Sequence, residues 1–169
     1  MAWTLPESCV LVGLDDSPSQ RNLITRLFAK CQCRERLVFG GAADTIDTFV
    51  NEVFQRVKKS EIDQLFLVLL DEHLVIRDGD SVNTANGVEL GVELRLKLSK
   101  AGLEHKTLLL ARSANDSPED LAVFADKLHG ALPKVLMTFK SFNAQMRCLW
   151  TERFQARAPE DSLPTPSEV

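Results

Sequence analysis

Five residues from four distant points of the chain stand at the ends of short apolar runs: Asp15 and Asp16 after "CVLVGL", Asp71 after "LFLVLL", Ser113 just beyond "KTLLLA", and Lys134 after "ALP". An unpaired carboxylate at the tip of a buried run is costly, so something outside the run must want Asp71. If the run ends converge, three carboxylates repel one another and their pKa values rise unless a cation resides among them. Magnesium suits such a set, because it binds through one or two carboxylates, keeps several waters and completes its octahedron with phosphate oxygens. A lysine adds a compact positive charge and a serine hydroxyl adds a hydrogen bond, both of use to a transferring phosphoryl group. Asp71 is then the candidate nucleophile, since carboxylates form aspartyl phosphates.

These residues need elements to bring them together. "CVLVGL", "RLVFGG", "LFLVLL", "KTLLLA" and "ALPKVL" read as five short strands, the third being the most apolar, as expected of a strand covered on both faces. Between them run amphipathic segments. "SPSQRNLITRLFAKC" places Leu23, Ile24, Leu27 and Phe28 at helical spacing after a Ser-Pro start, and "DTIDTFVNEVFQRVKK" repeats Ile46, Phe49, Val50, Val53, Phe54 and Val57 on one face. "GVELGVELRLKLSK" is a third helix. "SPEDLAVFADKLHG" is a fourth, capped by Ser117 with Pro118 in its first turn, and "FNAQMRCLWTERFQ" a fifth, with Met146, Leu149, Trp150 and Phe154 as its stripe. Alternating strands and helices predict an α/β flavodoxin-like fold: a doubly wound, five-stranded parallel sheet of order 2-1-3-4-5 with five helices. In that order the strand ends named above share one rim, where ligands gather. Residues 72–86 are expected to be a flexible polar loop and 157–169 a disordered polar tail, leaving 1–156 as one domain.

Composition excludes several classes. With 169 residues, 44% hydrophobic and 26% charged, the chain suits one globular domain. A net charge of -4 argues against a general nucleic-acid surface, although Arg147, Arg153 and Arg157 leave room for a local basic patch. The longest apolar run is six residues, too short for a membrane span, and "MAWTLPES" has no signal-peptide pattern. Cys31 and Cys33 form a lone C-x-C with no second pair, so the four cysteines are expected to be reduced and mostly buried in a cytoplasmic protein.

Each candidate also has an ordinary reading. Asp71 could form a turn, Asp15 or Asp16 could cap the first helix, Ser113 could be a turn serine and Lys134 a solvated lysine. All of these at once, in this order, is the less economical account. His73, His105 and His129 are expected at the surface. The stretch from Asp78 to Glu89 has acids at the first, third and twelfth positions of a calcium loop. It has Asn83 where that loop requires glycine, which sets calcium aside.

The ordered set Asp15-Asp16, Asp71, Ser113-Ala114 and Lys134 resembles the receiver domain of two-component response regulators, over roughly Cys9 to Phe154. The resemblance implies a phosphoacceptor at Asp71, a metal-binding acidic pair at Asp15 and Asp16, a switch hydroxyl at Ser113 and the family's lysine at Lys134. It also implies a magnesium ion bound by Asp15, Asp16, Asp71 and the backbone carbonyl of His73. The phosphate donor would be a histidine kinase or histidine phosphotransfer protein, and the output a contact with a downstream protein. The chain would be an aspartate receiver that phosphorylates and dephosphorylates itself rather than a conventional enzyme. Three features depart from the pattern: no Met-Pro pair follows Asp71, Val135 rather than proline follows Lys134, and Ala131 occupies the aromatic switch position. They favour a rival reading, a receiver-like binding module that keeps the fold and does not switch. A flavodoxin-type cofactor binder would need a glycine- or hydroxyl-rich loop after the first strand, which this sequence lacks.

Overall fold

The structure is a computed structural model that describes residues 3–115, 117–134 and 137–155. The expected polar tail, and the Val135 that follows Lys134, lie outside the described residues.

Five parallel strands form the central sheet: β1 (Val10–Leu14), β2 (Glu35–Phe39), β3 (Phe66–Asp71), β6 (Thr107–Ser113) and β7 (Ala131–Pro133). Their spatial order is β2-β1-β3-β6-β7, the predicted 2-1-3-4-5 arrangement once the two additional strands are set aside. Helices α1 (Pro18–Lys30), α2 (Ala43–Lys59), α3 (Gly87–Lys100), α4 (Pro118–Lys127) and α5 (Phe139–Trp150) cover both faces. β3 lies at the centre and is buried along its whole length, because α/β crossovers place helices on each side of it.

The period of two along each strand divides the core into two layers. Val10, Val12 and Leu14, with Phe66, Val68 and Leu70, pack against α2, α3 and α4. Leu11, Leu67, Leu69, Leu108 and Leu110 face α1 and α5 through Ile24, Phe28, Phe142 and Met146. Each fully buried Leu or Phe contributes roughly 1.5–3 kcal/mol relative to exposure, so the strand tips are held by a well-anchored scaffold. Phe142 and Trp150 are buried within this second layer.

Two expectations are corrected. Residues 73–86 do not form a loop: β4 (His73–Asp78) and β5 (Ser81–Asn86) make a separate antiparallel hairpin. Its signal is Gly79-Asp80 between extended segments, since Asp78 pairs with Ser81, and Gly79 supplies the positive φ (58°) that this two-residue turn requires. The His129 side chain is 6% exposed: its Nδ1 accepts the Leu109 N–H at 2.9 Å, and its Nε2 lies 3.3 Å from Glu104 Oε1. Desolvation, reinforced by the charge of Arg153, holds it down to about 4, so it is a neutral structural residue. The cysteines are free and mostly buried, as expected: Cys9, Cys31 and Cys33 are buried and Cys148 is exposed.

Candidate functional site

Strand parity builds the site. The positions that face α1 and α5 run Leu11, Gly13, Asp15 on β1 and just beyond it, Leu67, Leu69, Asp71 on β3, and Leu108, Leu110, Arg112 on β6. Register aligns their ends, since Leu14 pairs with Leu70 and Asp71 with Arg112. Asp15, Asp71 and Arg112 therefore form one row across the sheet, at the point where the apolar layer stops. Asp16 lies beyond the end of β1, and Lys134 lies just past β7.

The row is closely packed. Asp15 is 0% exposed and Asp71 2%, and carboxylate oxygens of Asp15, Asp16 and Asp71 lie within 4.8 Å of one another. Lys134 Nζ donates to Asp71 Oδ1 at 2.7 Å and lies 3.8 Å from Asp15 Oδ2. Asp71 Oδ2 is buried with no hydrogen-bond partner. Asp15 Oδ1 accepts the Ser17 N–H at 2.9 Å, and Arg112 Nη1 reaches Asp15 Oδ2 at 3.4 Å. Desolvation raises the pKa of Asp71, as does the charge of Asp16, against the opposing pull of Lys134. Asp15 is raised too, first by burial and then by Asp71. Three carboxylates thus face two cations, and the set retains one negative charge in excess.

The surrounding backbone is fitted to these residues. Gly40 has φ 109°, and a Cβ there would lie 2.1 Å from the Asp15 carbonyl oxygen. At Gly87 a Cβ would lie 1.8 Å from the Asp71 carbonyl oxygen, so α3 can start over the site only with glycine at that position. Arg21 Nη1 donates to the carbonyls of Asp15, Asp16 and Gly40 at 3.1, 2.6 and 3.0 Å, tying the loops after β1 and β2 together.

Two predicted residues already have partners. Asp16 Oδ2 accepts the Val75 N–H of β4 at 2.9 Å. Ser113 Oγ donates to Glu72 Oε2 at 2.5 Å and accepts the Asn115 N–H at 3.0 Å. His73 opens β4 with its imidazole exposed, 3.7 Å from Glu72 Oε1. In an antiparallel ladder, alternate residues turn both backbone groups outward. Because the Val75 N–H points to Asp16, the His73 carbonyl is presented on that same outer edge. A cavity of about 420 Å³, lined by Asp16, Gly40, Ala42, Val75 and Arg77, opens beside Asp16.

Sequence reasoning named Asp15, Asp16, Asp71, Ser113 and Lys134; the structure groups the three aspartates with Lys134 and holds the Ser113 hydroxyl on Glu72, the residue after Asp71. It missed Arg112, Glu72 and Arg21. The parity of Leu108, Leu110 and Arg112 was the available signal for the first. Nothing in the spacing pointed to Glu72 or Arg21, whose contacts depend on loop paths.

The geometry can be set beside known proteins. No protein-family model matches the sequence, and neither does any curated protein. Solved structures do match: a response regulator receiver protein from Dyadobacter fermentans, at 16% identity and TM-score 0.56, covers 84% of this chain and 98% of its own. The receiver domain of the histidine kinase CKI1 from Arabidopsis thaliana, complexed with Mg2+ and BeF3-, is 16% identical with TM-score 0.57, covering 83% and 89%. The chemotaxis protein CheY4 of Vibrio cholerae is 14% identical with TM-score 0.54, covering 83% and 98%. The fold of this chain is that of response-regulator receiver domains.

Proposed function

We propose that this chain is a phosphorelay receiver whose phosphoacceptor is Asp71. The observation that carries the reading is Asp71 itself: a buried carboxylate with one oxygen on Lys134 and the other without a partner, among two further aspartates. A carboxylate left in that condition has an unmet demand for a cation or an electrophile. In the reaction, one Asp71 oxygen attacks the phosphorus of a phosphohistidine on a histidine kinase or phosphotransfer protein. The new O–P bond forms as the P–N bond breaks, and the departing imidazole takes up a proton. Lys134 offsets the incoming negative charge, and Ser113 donates to a phosphoryl oxygen after leaving Glu72. Water later cleaves the acyl phosphate and regenerates Asp71.

The donor set suits magnesium: hard oxygens from Asp15, Asp16 and Asp71, with the His73 carbonyl on the neighbouring strand edge. When bound, the ion would supply charge neutralisation at the phosphoryl oxygens. No helix among the described residues is long and apolar enough to cross a membrane. The output would be a contact with a downstream protein.

A second reading, a receiver-like binding module that does not switch, is favoured by the Ser113–Glu72 hydrogen bond and by Ala131 at the aromatic position. Incubation with magnesium and acetyl phosphate, read by intact mass beside Asp71→Asn, separates the two. One added phosphate in the wild type alone supports the receiver. No addition, with the fold verified and no beryllofluoride binding, supports the module.

A further inference from the structure

The acidic row contains a residue that the reading above leaves without a task. Arg112 is 1% exposed and occupies the β6 position beside Asp71 in register. Its Nη1 lies 3.4 Å from Asp15 Oδ2, and its Nη2 donates to Gln20 Oε1 on α1 at 3.0 Å. A guanidinium is not deprotonated in proteins, so this charge is permanent. A buried arginine must in turn keep a buried anion, and Asp15 is the carboxylate its side chain meets.

We propose that Arg112 is a resident counter-cation that competes with a divalent cation for Asp15 and sets a low affinity for such ions at the acidic row. The inference rests on the metal-assisted receiver reading and deepens it. Oxygen accounting supports it. Both Asp15 oxygens are engaged, one by the Ser17 N–H and the other by Arg112 with Lys134 nearby. Asp71 Oδ2 is without a partner, and Asp16 carries a single amide on Oδ2. A divalent ion entering between Asp16 and Asp71 meets two fixed cations rather than one, and the repulsion weakens its binding. Arg112 is a positioning residue here, acting through Asp15 and through charge.

The test is a Mn2+ titration followed by the electron paramagnetic resonance signal of the free ion, which does not depend on phosphorylation. Arg112→Gln removes the charge and retains an N–H donor; Arg112→Lys keeps the charge. Arg112→Gln should bind Mn2+ at least roughly tenfold more tightly than wild type, while Arg112→Lys stays near wild type. Unchanged affinity in a folded Arg112→Gln, with Asp16→Asn still abolishing binding, overturns the role of Arg112 and leaves the receiver reading standing. Failure of wild type and Arg112→Gln alike to bind Mn2+ overturns the metal reading and the proposal with it. If circular dichroism shows Arg112→Gln unfolded, Asp15→Asn and Asp16→Asn decide: a smaller loss for Asp15→Asn supports the proposal, and equal losses overturn it.

Discussion

The backbone N–H of Val75 donates to Asp16 Oδ2 at 2.9 Å, joining the β4–β5 hairpin to the acidic site. The hairpin makes no strand pairing with the central sheet, so this bond is a direct link between it and the residues that would hold a cation. Val75 lies on the outward edge of β4. Whatever engages Asp16 therefore competes with the hairpin for one carboxylate.

Removing that acceptor should loosen one amide and spare its neighbours. In Asp16→Ala, hydrogen exchange at Val75 is expected to quicken roughly tenfold or more, the scale of a hydrogen bond to a charged group. The amides of Leu74 and Ile76 turn toward β5 and should keep their protection. Exchange followed by NMR checks this, and a uniform loss across β4 would show that the bond instead holds the whole hairpin.

Ser113 can reach a phosphoryl oxygen only by leaving Glu72. Glu72→Ala releases the hydroxyl and removes a nearby negative charge, so acetyl phosphate should label Asp71 several-fold faster, within about tenfold. Ser113→Ala should slow it. A slower Glu72→Ala would assign Glu72 a supporting role instead of a competing one.

Gly87 tests the fit between α3 and the site. Because a Cβ would lie 1.8 Å from the Asp71 carbonyl oxygen, a backbone atom that cannot rotate away, Gly87→Ala must shift the helix start. Urea unfolding should show a loss on the order of 3 kcal/mol, at the severe end for a single methyl. Gly79→Ala, where a Cβ meets nothing within 4 Å, isolates the cost of a positive φ at the hairpin tip.

The α/β order was legible because apolar runs of period two alternated with segments of helical period, and right-handed crossovers left few ways to arrange them. Asp15, Asp16, Asp71, Ser113 and Lys134 could be found because each follows such a run. The hairpin was overlooked although Gly79-Asp80 marks its turn and Leu74, Val75 and Ile76 form an apolar run in β4, because β5 is polar and exposed along most of its length. Arg112 was overlooked because a single charged residue at the end of an apolar strand reads as solvent-facing. It is buried because Asp15 meets it from two strands away, a neighbour that only the strand order supplies.

The site should also govern how stability depends on pH. Burial raises the pKa of Asp71, so between the ordinary aspartate value and the raised one the folded protein binds more protons than the unfolded chain. Stability then falls as pH rises through that window, and the deficit persists at neutral pH. Asp15 acts in the same direction. Asp71→Asn keeps an acceptor for Lys134 and removes the charge, so without metal it should melt higher than wild type at pH 7.5, by about 2–4 °C for each kcal/mol recovered. The gap should close near pH 3, where the wild-type carboxyl is protonated. Magnesium should narrow it at pH 7.5 by stabilising the wild type, through binding linkage, more than the variant. Thermal denaturation of both proteins at the two pH values, with and without magnesium, checks each step, and an Asp71→Asn that melts lower at pH 7.5 would show that the Lys134 ion pair outweighs desolvation.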